Sequence, residues 1–405
     1  MDERTVRDEW VRGYALLALR VARRLGGMVI YRGPAAWERE VAAEEEPPAG
    51  RLVADAERLL DGLPFGPPRA RYLAAQVRAL RAVARTLDGT VPPLAEYARE
   101  TLGVVADPVD ESVLGVAHDA LDAALPRGSG ALADRLRAWE AAHALPEARR
   151  ADLPGLVRLA VAETRARTGA FVSLPSDERV GVRLVDQAHF LAAGSYDGGS
   201  RSTIHINRSL PFNLADLLYV VAHEGHPGHI AESLLKEIHL LERRGWTDQW
   251  VRFMLSPSFV VSEGLGLHAQ EIVFPGDEAR RWLADRVFPS YGIARDGADL
   301  AAVHRARNVL WGAWANAALL AAEGRPEAEV AGYLGRWALL DEAGVAAALT
   351  SLRAPGMGLY VLGYHHGHRV VGEYLGRGGD RAARVRRLLT EQVLPADLTG
   401  GQLTR

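Results

Sequence analysis

The chain contains no cysteine among its 405 residues. This absence excludes disulfide bonds, thiolate nucleophiles and cysteine-ligated metal sites together. A metal ion bound by this protein would therefore have to be coordinated by histidine and carboxylate side chains.

A large excess of charge of either sign is also missing, because 48 basic residues stand against 51 acidic ones and the formal net charge is -3. This balance gives no electrostatic reason to expect binding to nucleic acid or to an anionic membrane. No apolar run approaches the roughly 20 residues that span a bilayer, and the arginine-rich N-terminus is typical of an amphipathic helix rather than a signal peptide. We therefore expect a cytoplasmic protein that binds neither nucleic acid nor a membrane, in an oligomeric state that the sequence does not fix.

Helical periodicity dominates the chain. Residues 1–168 show successive amphipathic patterns separated by proline and glycine pairs, which predicts an N-terminal helical lobe. Between residues 178 and 207, apolar and polar residues alternate on both sides of a glycine-rich turn at 194–200, which predicts a small antiparallel β-sheet. Helical patterns resume at residue 213. We therefore expect a mostly α fold, in which residues 169–405 form a second region that contains the sheet and the histidine motif described next.

The motif HEGHPGH at residues 223–229 contains three histidines and Glu224. Zinc peptidases commonly use the string HExxH, because two histidines four residues apart lie one turn apart on the same helix face. Here Pro227 takes the place of the second histidine. His226 lies about 60° around an ideal helix from His223, whereas His229 lies on the far side. Two ligand pairs therefore remain open, and a third alternative is that these are ordinary core or surface histidines.

Pro227 and Gly228 favour the pair His223 and His229. Proline cannot donate to the carbonyl of His223 and its ring clashes with that carbonyl, and glycine admits backbone angles that other residues resist. Pro227 and Gly228 together predict an inserted bulge, which would bring His229 back to the helix face that carries His223. We therefore prefer this pair to His223 with His226.

Two histidines leave a catalytic zinc ion one protein ligand short. The candidate third ligand is Glu263, because a lone carboxylate among apolar helix residues is costly unless a cation pairs with it. Glu271 is the fallback, and an ion pair between Glu263 and an arginine is the ordinary alternative. Glu224, beside a ligand, could act as a general base.

Two other clusters suggest further roles. The run YHHGHR at residues 364–369 could supply a transition-state donor, with His365 as the candidate, or a second metal site, or only a solvated patch. Arg307 lies with Arg305 in a tryptophan-rich segment. Its guanidinium fork could bind a substrate carboxylate, or it could form an ion pair between helices.

The motif HEGHPGH, together with SEGLGLHAQE at residues 262–271, resembles the family catalogued as domain of unknown function 885. Members of that family carry HExxPGH and, downstream, an EGWALYAE-like helix. The resemblance extends to the segment IHIN at residues 204–207 and to PGMGLYVLG at residues 355–363, and covers about residues 180–380. The family is similar to helical zinc peptidases of the oligopeptidase and angiotensin-converting-enzyme type.

This resemblance implies a zinc ion on His223, His229 and Glu263, with Glu224 as general base. It implies that Tyr360 donates a hydrogen bond to the developing oxyanion. The substrate-binding candidates are Arg307, Asn207, Tyr364 and His268. The chain departs from the family pattern where His268 replaces a tyrosine and where the segment that follows Arg307 differs.

The expected function is a zinc-dependent hydrolase that cleaves an amide or peptide bond with metal-activated water. One alternative keeps the two-histidine, one-carboxylate site for other chemistry, such as another hydrolysis, a lyase reaction or an Fe(II) oxygenase. The other alternative is a binding protein on a catalytically retired scaffold.

Overall fold

The computed structural model describes residues 2–188 and 190–400, and their fold is mostly helical, as predicted. The helices in the first 168 residues are α1 (Glu3–Leu25), α2 (Ala35–Ala43), α3 (Ala49–Asp61), α4 (Pro67–Thr86), α5 (Leu94–Thr101), α6 (Glu111–Ala124), α7 (Leu132–Ala142) and α8 (Leu153–Thr168). Those that follow are α9 (Leu217–Glu224), α10 (His229–Lys236), α11 (Pro257–Val273), α12 (Glu278–Arg286), α13 (Leu300–Val309), α14 (Trp311–Ala322), α15 (Glu327–Trp337), α16 (Glu342–Arg353), α17 (Met357–Gly376), α18 (Arg381–Thr390) and α19 (Pro395–Leu398). The strands are β1 (Val29–Tyr31), β2 (Arg179–Val185), β3 (Ala192–Gly198), β4 (Arg201–Asn207) and β5 (Val251–Phe253).

The small sheet predicted at residues 178–207 is present, and its pairing is mixed. Its strand order is β2-β4-β3. Strand β4 pairs with β3 in the antiparallel direction and with β2 in the parallel direction. The tight turn at Gly199 and Ser200 joins β3 to β4, so β2 is left to pair with the other edge of β4. The prediction of a turn over residues 194–200 was wrong for residues 194–198, which belong to β3, because the low strand propensity of alanine and glycine concealed the strand.

A second sheet joins the N-terminus to the segment before α11. Strand β1 pairs with β5 in the antiparallel direction, and Ile30 lies opposite Arg252. These strands are only three residues long, which is too short for an alternating pattern to be recognised in the sequence. The pairing connects the first lobe to the histidine-bearing region.

Among the described residues, the hydrophobic core has two large clusters and a third, smaller one. One large cluster combines buried residues of α1, α3, α4 and α5 with residues of β5, α14 and α17. The other large cluster combines α6, α7 and α8 with β4, α9, α11 and the later helices. The lobe boundary at residue 168 stays a prediction. In the hydrophobic core, α6 to α8 pack with the histidine-bearing helices rather than with α1 to α5.

Helix α11 is the central support of this second cluster. It is apolar around most of its circumference, and helices of this kind lie inside the protein; its residues from Phe259 to Leu267 are buried without interruption. It packs against α9 on one side and α17 on another. This position brings Glu263 close to the motif at residues 223–229.

In the described part of the chain, no single helix is long and apolar enough to cross a membrane. The pair α16 and α17 would satisfy that test together, with a bend of 108° between them.

Candidate metal centre

The predicted bulge takes the form of a complete break between two helices. Helix α9 ends at Glu224 and α10 begins at His229, with a cis peptide bond between His226 and Pro227. The amide of Gly228 donates to the carbonyl of Ala222 at 3.0 Å, across six residues instead of four. A Cβ atom at position 228 would collide with the carbonyls of residues 222 and 223, so glycine is required for this close approach.

The break brings His223 and His229 together. Their ring centroids lie 4.7 Å apart at an interplanar angle of 87°. Glu263 completes the group, with Oε2 at 3.4 Å from Nε2 of His223 and Oε1 at 3.7 Å from Nε2 of His229. One ligand atom from each residue lies within 4.8 Å of the other two. The structure therefore places these three side chains as the sequence suggested, and their role as metal ligands stays a prediction.

The approach of α11 to His223 depends on Gly266. A Cβ atom built there would lie 2.7 Å from the imidazole ring. The glycine therefore allows the helix that carries Glu263 to lie directly against the first histidine.

The pKa values of the three side chains are shifted in different directions by burial and by their mutual contacts. Burial opposes ionisation of Glu263, but His229, His223 and the Tyr360 hydroxyl together lower its pKa. Burial also opposes protonation of His223, yet Glu263 and Glu224 raise its pKa. For His229, burial is the largest cause and the pKa is lowered.

One atom of this group lacks a hydrogen-bond donor. Glu263 is 1% exposed, and its Oε2 has no hydrogen bond among the described residues. A buried carboxylate oxygen without a partner is costly. A cation between this oxygen and the two imidazoles would satisfy it, and two histidines with one glutamate form a known zinc-ligand set in catalytic sites. The residues present therefore fit a divalent metal ion such as zinc.

Glu224 follows His223 in the chain and lies close enough that its charge favours the protonated form of both histidines. It is partly exposed, whereas His223 and Glu263 are buried. Its Oε2 accepts a hydrogen bond of 2.7 Å from the amide of Gly194 in β3. The sheet edge therefore lies directly beside the predicted general base.

His226 points away from the group. Its Nε2 lies 2.7 Å from Oε1 of Glu178, and both side chains are fully buried. Glu178 also accepts a hydrogen bond of 2.7 Å from Arg165. The alternative pair of His223 with His226 is therefore not the one that the structure brings together.

Two tyrosines of α17 border the group in different ways. The hydroxyl of Tyr360 donates to Oε1 of Glu263 at 2.6 Å. Tyr364 stacks on Trp311 at 4.3 Å, and its ring centroid lies 6.4 Å from that of His223. Burial raises the pKa of Tyr364, and Glu263 and Glu224 add to the effect. Tyr360 is therefore bound to the candidate ligand, while Tyr364 packs beside His223.

The other predicted site residues lie elsewhere. Asn207 is 2% exposed and bonds to Ala188 and Ser209, so it shapes the turn after β4. Nε2 of His268 lies 2.8 Å from the carbonyl of His368, and the two rings stack. His365 contacts the ring of His366. These contacts do not place any of the three predicted residues in the group around Glu263.

Arg307 forms an ion pair instead of an open carboxylate clamp. Its guanidinium bonds to both oxygens of Asp216 at 3.1 Å, and His304 bonds to the same carboxylate at 2.8 Å. The partner lies 91 residues earlier in the chain. The sequence offered no signal for a pairing at this separation, although an ion pair was the ordinary alternative.

Asp216→Asn is expected to lower the free energy of unfolding by about 2 kcal/mol near pH 7, because the bonds from Arg307 and His304 to a buried carboxylate are weakened, while Arg307 is 36% exposed and stays partly hydrated. Burial opposes ionisation of Asp216, but Arg307 and His304 outweigh it and hold the pKa well below its usual range. The stabilisation is therefore present above about pH 4, the unfolded pKa, and is lost as the pH falls further. Urea titrations at pH 7 and pH 3 measure this difference. Asp186→Asn, which breaks an exposed pair with Arg208, is the control with an expected change below about 1 kcal/mol.

Comparison with known proteins identifies similar folds. No protein-family model matches the chain, and no curated protein matches it. A putative lipoprotein from Colwellia psychrerythraea has a similar structure, with a TM-score of 0.55 and 15% identity, over 88% of this chain and 66% of that one. A putative lipoprotein of unknown function from Shewanella oneidensis has a TM-score of 0.50 and 12% identity, over 90% of this chain and 75% of that one. At these identities the likeness shows the fold alone, and the chain spans slightly less than two thirds of the Colwellia protein.

Proposed function

We propose that this protein is a zinc-dependent hydrolase that cleaves an amide or peptide bond in a small molecule or short peptide. The observation that carries the proposal is the convergence of His223, His229 and Glu263 around an unpartnered carboxylate oxygen, with Glu224 beside them. A zinc ion held there would polarise the substrate carbonyl and lower the pKa of a water molecule.

Glu224 supplies the proton transfers. Its carboxylate accepts a proton from the attacking water as the new C–O bond forms, and it returns that proton to the nitrogen as the C–N bond breaks. The hydrogen bond from Gly194 to Oε2 fixes the orientation of the carboxylate and leaves Oε1 for this transfer. The products are a carboxylic acid and an amine.

Strand β3 gives an extended substrate a place to bind. It is an edge of the three-stranded sheet, and Gly194 within it contacts the base directly. Main-chain hydrogen bonds to an edge strand set the register of a bound peptide while leaving its side chains free. This placement would align the scissile bond with Glu224.

Metal analysis of protein purified without added metal, combined with hydrolysis assays, tests the proposal. We expect about one zinc ion per chain, cleavage of some members of a library of short peptides and N-acylated amines, and loss of cleavage on chelation with recovery on zinc addition. Stoichiometric iron with oxygen consumption would contradict the hydrolase proposal. Stoichiometric zinc with no turnover of any amide would favour the retired binding protein.

Tyr360 and Tyr364 are expected to respond differently to removal of the hydroxyl. Tyr360→Phe removes the donor to Glu263, so zinc affinity should fall roughly 10- to 100-fold, as for other outer partners of metal ligands. Tyr364→Phe should leave zinc affinity unchanged and lower kcat by roughly 10²- to 10³-fold, as loss of an oxyanion donor does. Zinc titration and steady-state kinetics separate the two effects. If Tyr360→Phe instead lowers kcat without weakening zinc binding, and Tyr364→Phe does not lower kcat, Tyr360 is the oxyanion donor that the family resemblance implies.

A further inference from the structure

His229 has a hydrogen-bond anchor that extends beyond the candidate ligands. Its Nδ1 lies 3.1 Å from Oγ of Ser262, the residue before Glu263 on α11. The same oxygen donates to Oε2 of Glu232 and receives a hydrogen bond of 2.9 Å from Arg252. Ser262 and Glu232 are each 1% exposed, so water does not compete for these bonds.

The number of available protons determines which group donates and which accepts in each of these hydrogen bonds. A serine hydroxyl has one proton and two acceptor sites. Glu232 is bonded by Lys236 at 2.6 Å and by Arg252 at 2.9 Å, and a carboxylate held by two cations acts only as an acceptor. Arg252 can only donate. The serine proton therefore goes to Glu232, and the remaining acceptor site of Ser262 must receive a proton from Nδ1 of His229.

This direction determines the tautomer of the imidazole. A neutral imidazole carries one N–H, so a proton on Nδ1 leaves a lone pair on Nε2. Nε2 is the atom that lies 3.7 Å from Oε1 of Glu263. The anchor thus turns the acceptor side of the ring toward the place where the three candidate ligands meet.

We infer that Ser262 and Glu232 are positioning residues that fix the tautomer and the ring orientation of His229, so that Nε2 is preset to bind a metal ion. This inference rests on the proposed metal centre. The two histidines are supported differently, because the ring of His223 lies against Gly266, whereas His229 depends on the hydroxyl of Ser262.

Arg252 connects this hydrogen-bond network to the N-terminal part of the chain. This residue belongs to β5, where it lies opposite Ile30 of β1. Its guanidinium also donates to Ser233, next to Glu232. Strand β1 thereby helps to position Arg252, and the guanidinium of Arg252 binds Glu232.

The sequence alone could have pointed to Glu232 but not to its role. It is a carboxylate in an apolar stretch of α10, which is the signal that singled out Glu263. Its partner Ser262 lies 30 residues later, a separation at which the sequence gives no indication of contact.

Two measurements on the full chain test the inference. The first is the imidazole ¹⁵N chemical shifts of the metal-free protein, with His229 assigned by comparison with His229→Gln. We expect the Nδ1–H form in the unsubstituted protein and a shift toward the Nε2–H form in Ser262→Ala. The second is zinc affinity by competition with a chromogenic chelator, for which Ser262→Ala should bind roughly 10- to 100-fold more weakly.

Ser258→Ala is the matched control. Ser258 lies one turn earlier on the same helix, and its hydroxyl bonds to Gln76 and Ser256, away from His229. Zinc affinity should be unchanged in this variant, whereas Ser262→Ala should bind zinc more weakly under conditions in which both metal-free variants are folded.

The outcomes separate this inference from the proposed function. Tight zinc binding by the unsubstituted protein, with equal affinity in Ser262→Ala, overturns the inference and leaves the hydrolase proposal standing. An Nε2–H form of His229 in the unsubstituted protein also overturns it, even when Ser262→Ala fails to fold. Absence of zinc binding by the unsubstituted protein overturns both.

Discussion

Glu224→Gln is expected to retain zinc and to lower kcat by roughly 10²- to 10⁴-fold, the range for loss of a general acid–base group. Glutamine has nearly the same shape and can still accept the hydrogen bond from Gly194, so the fold and the ligand group should be preserved. It cannot accept a proton from water at neutral pH. Zinc content, melting temperature and steady-state kinetics of the purified variant measure the three quantities.

Glu271→Gln is the control for this substitution. Glu271 is a partly exposed glutamate on α11 and is not part of the group that His223, His229 and Glu263 form. The kcat of Glu271→Gln should match that of the unsubstituted protein, because Glu271 is not one of the candidate ligands or the candidate base. If Glu224→Gln and Glu271→Gln turn over substrate equally well, Glu224 is not the base and the proposed mechanism is wrong.

The sequence predicted those features of the site that depend on residues close together in the chain. Pro227 and Gly228 predicted that the helix would deform, because their backbone limits act within a few residues. Glu263 was recognisable because a lone carboxylate in an apolar helix needs a cationic partner. The mostly α fold followed from periodicity of the same local kind.

The part that the sequence did not predict depends on contacts between distant segments. His226 was a competing candidate until the structure placed it against Glu178, 48 residues earlier. Arg307 was a candidate for substrate binding until the structure placed it against Asp216. In both cases the residue type allowed several roles, and only the packing of separate elements selects one.

The role of Tyr360 illustrates the same limit at closer range. Its position in the family-like segment suggested a donor to the oxyanion, yet its hydroxyl bonds to Glu263. Tyr364 lies one helical turn further along and shares the same face of α17. Which of the two tyrosines bonds to Glu263 depends on the rotation of α17 against α11, and the sequence does not specify that rotation.

Glu263→Gln is expected to abolish tight zinc binding and to stabilise the metal-free protein. The carboxylate has a buried oxygen without a donor, and leaving such a group unsatisfied costs roughly 1–3 kcal/mol. The amide of glutamine can place an N–H toward His223, whose Nε2 lies 3.4 Å from that oxygen, while its carbonyl keeps the bond from Tyr360. Loss of a direct ligand should weaken zinc binding by more than the roughly 100-fold that an outer partner contributes.

Chemical denaturation with chelator and with excess zinc measures both effects in one experiment. Zinc at about 1,000 times its dissociation constant should raise the free energy of unfolding of the unsubstituted protein by about 4 kcal/mol, and should leave that of Glu263→Gln unchanged. In chelator, the order should reverse, with Glu263→Gln the more stable protein by about 1 kcal/mol. This reversal in the order of stabilities is expected for a group whose burial is unfavourable without its ligand. Such groups are common at functional sites. If Glu263→Gln instead destabilises the metal-free protein and zinc still stabilises it, Glu263 is a structural residue and the ion is bound elsewhere.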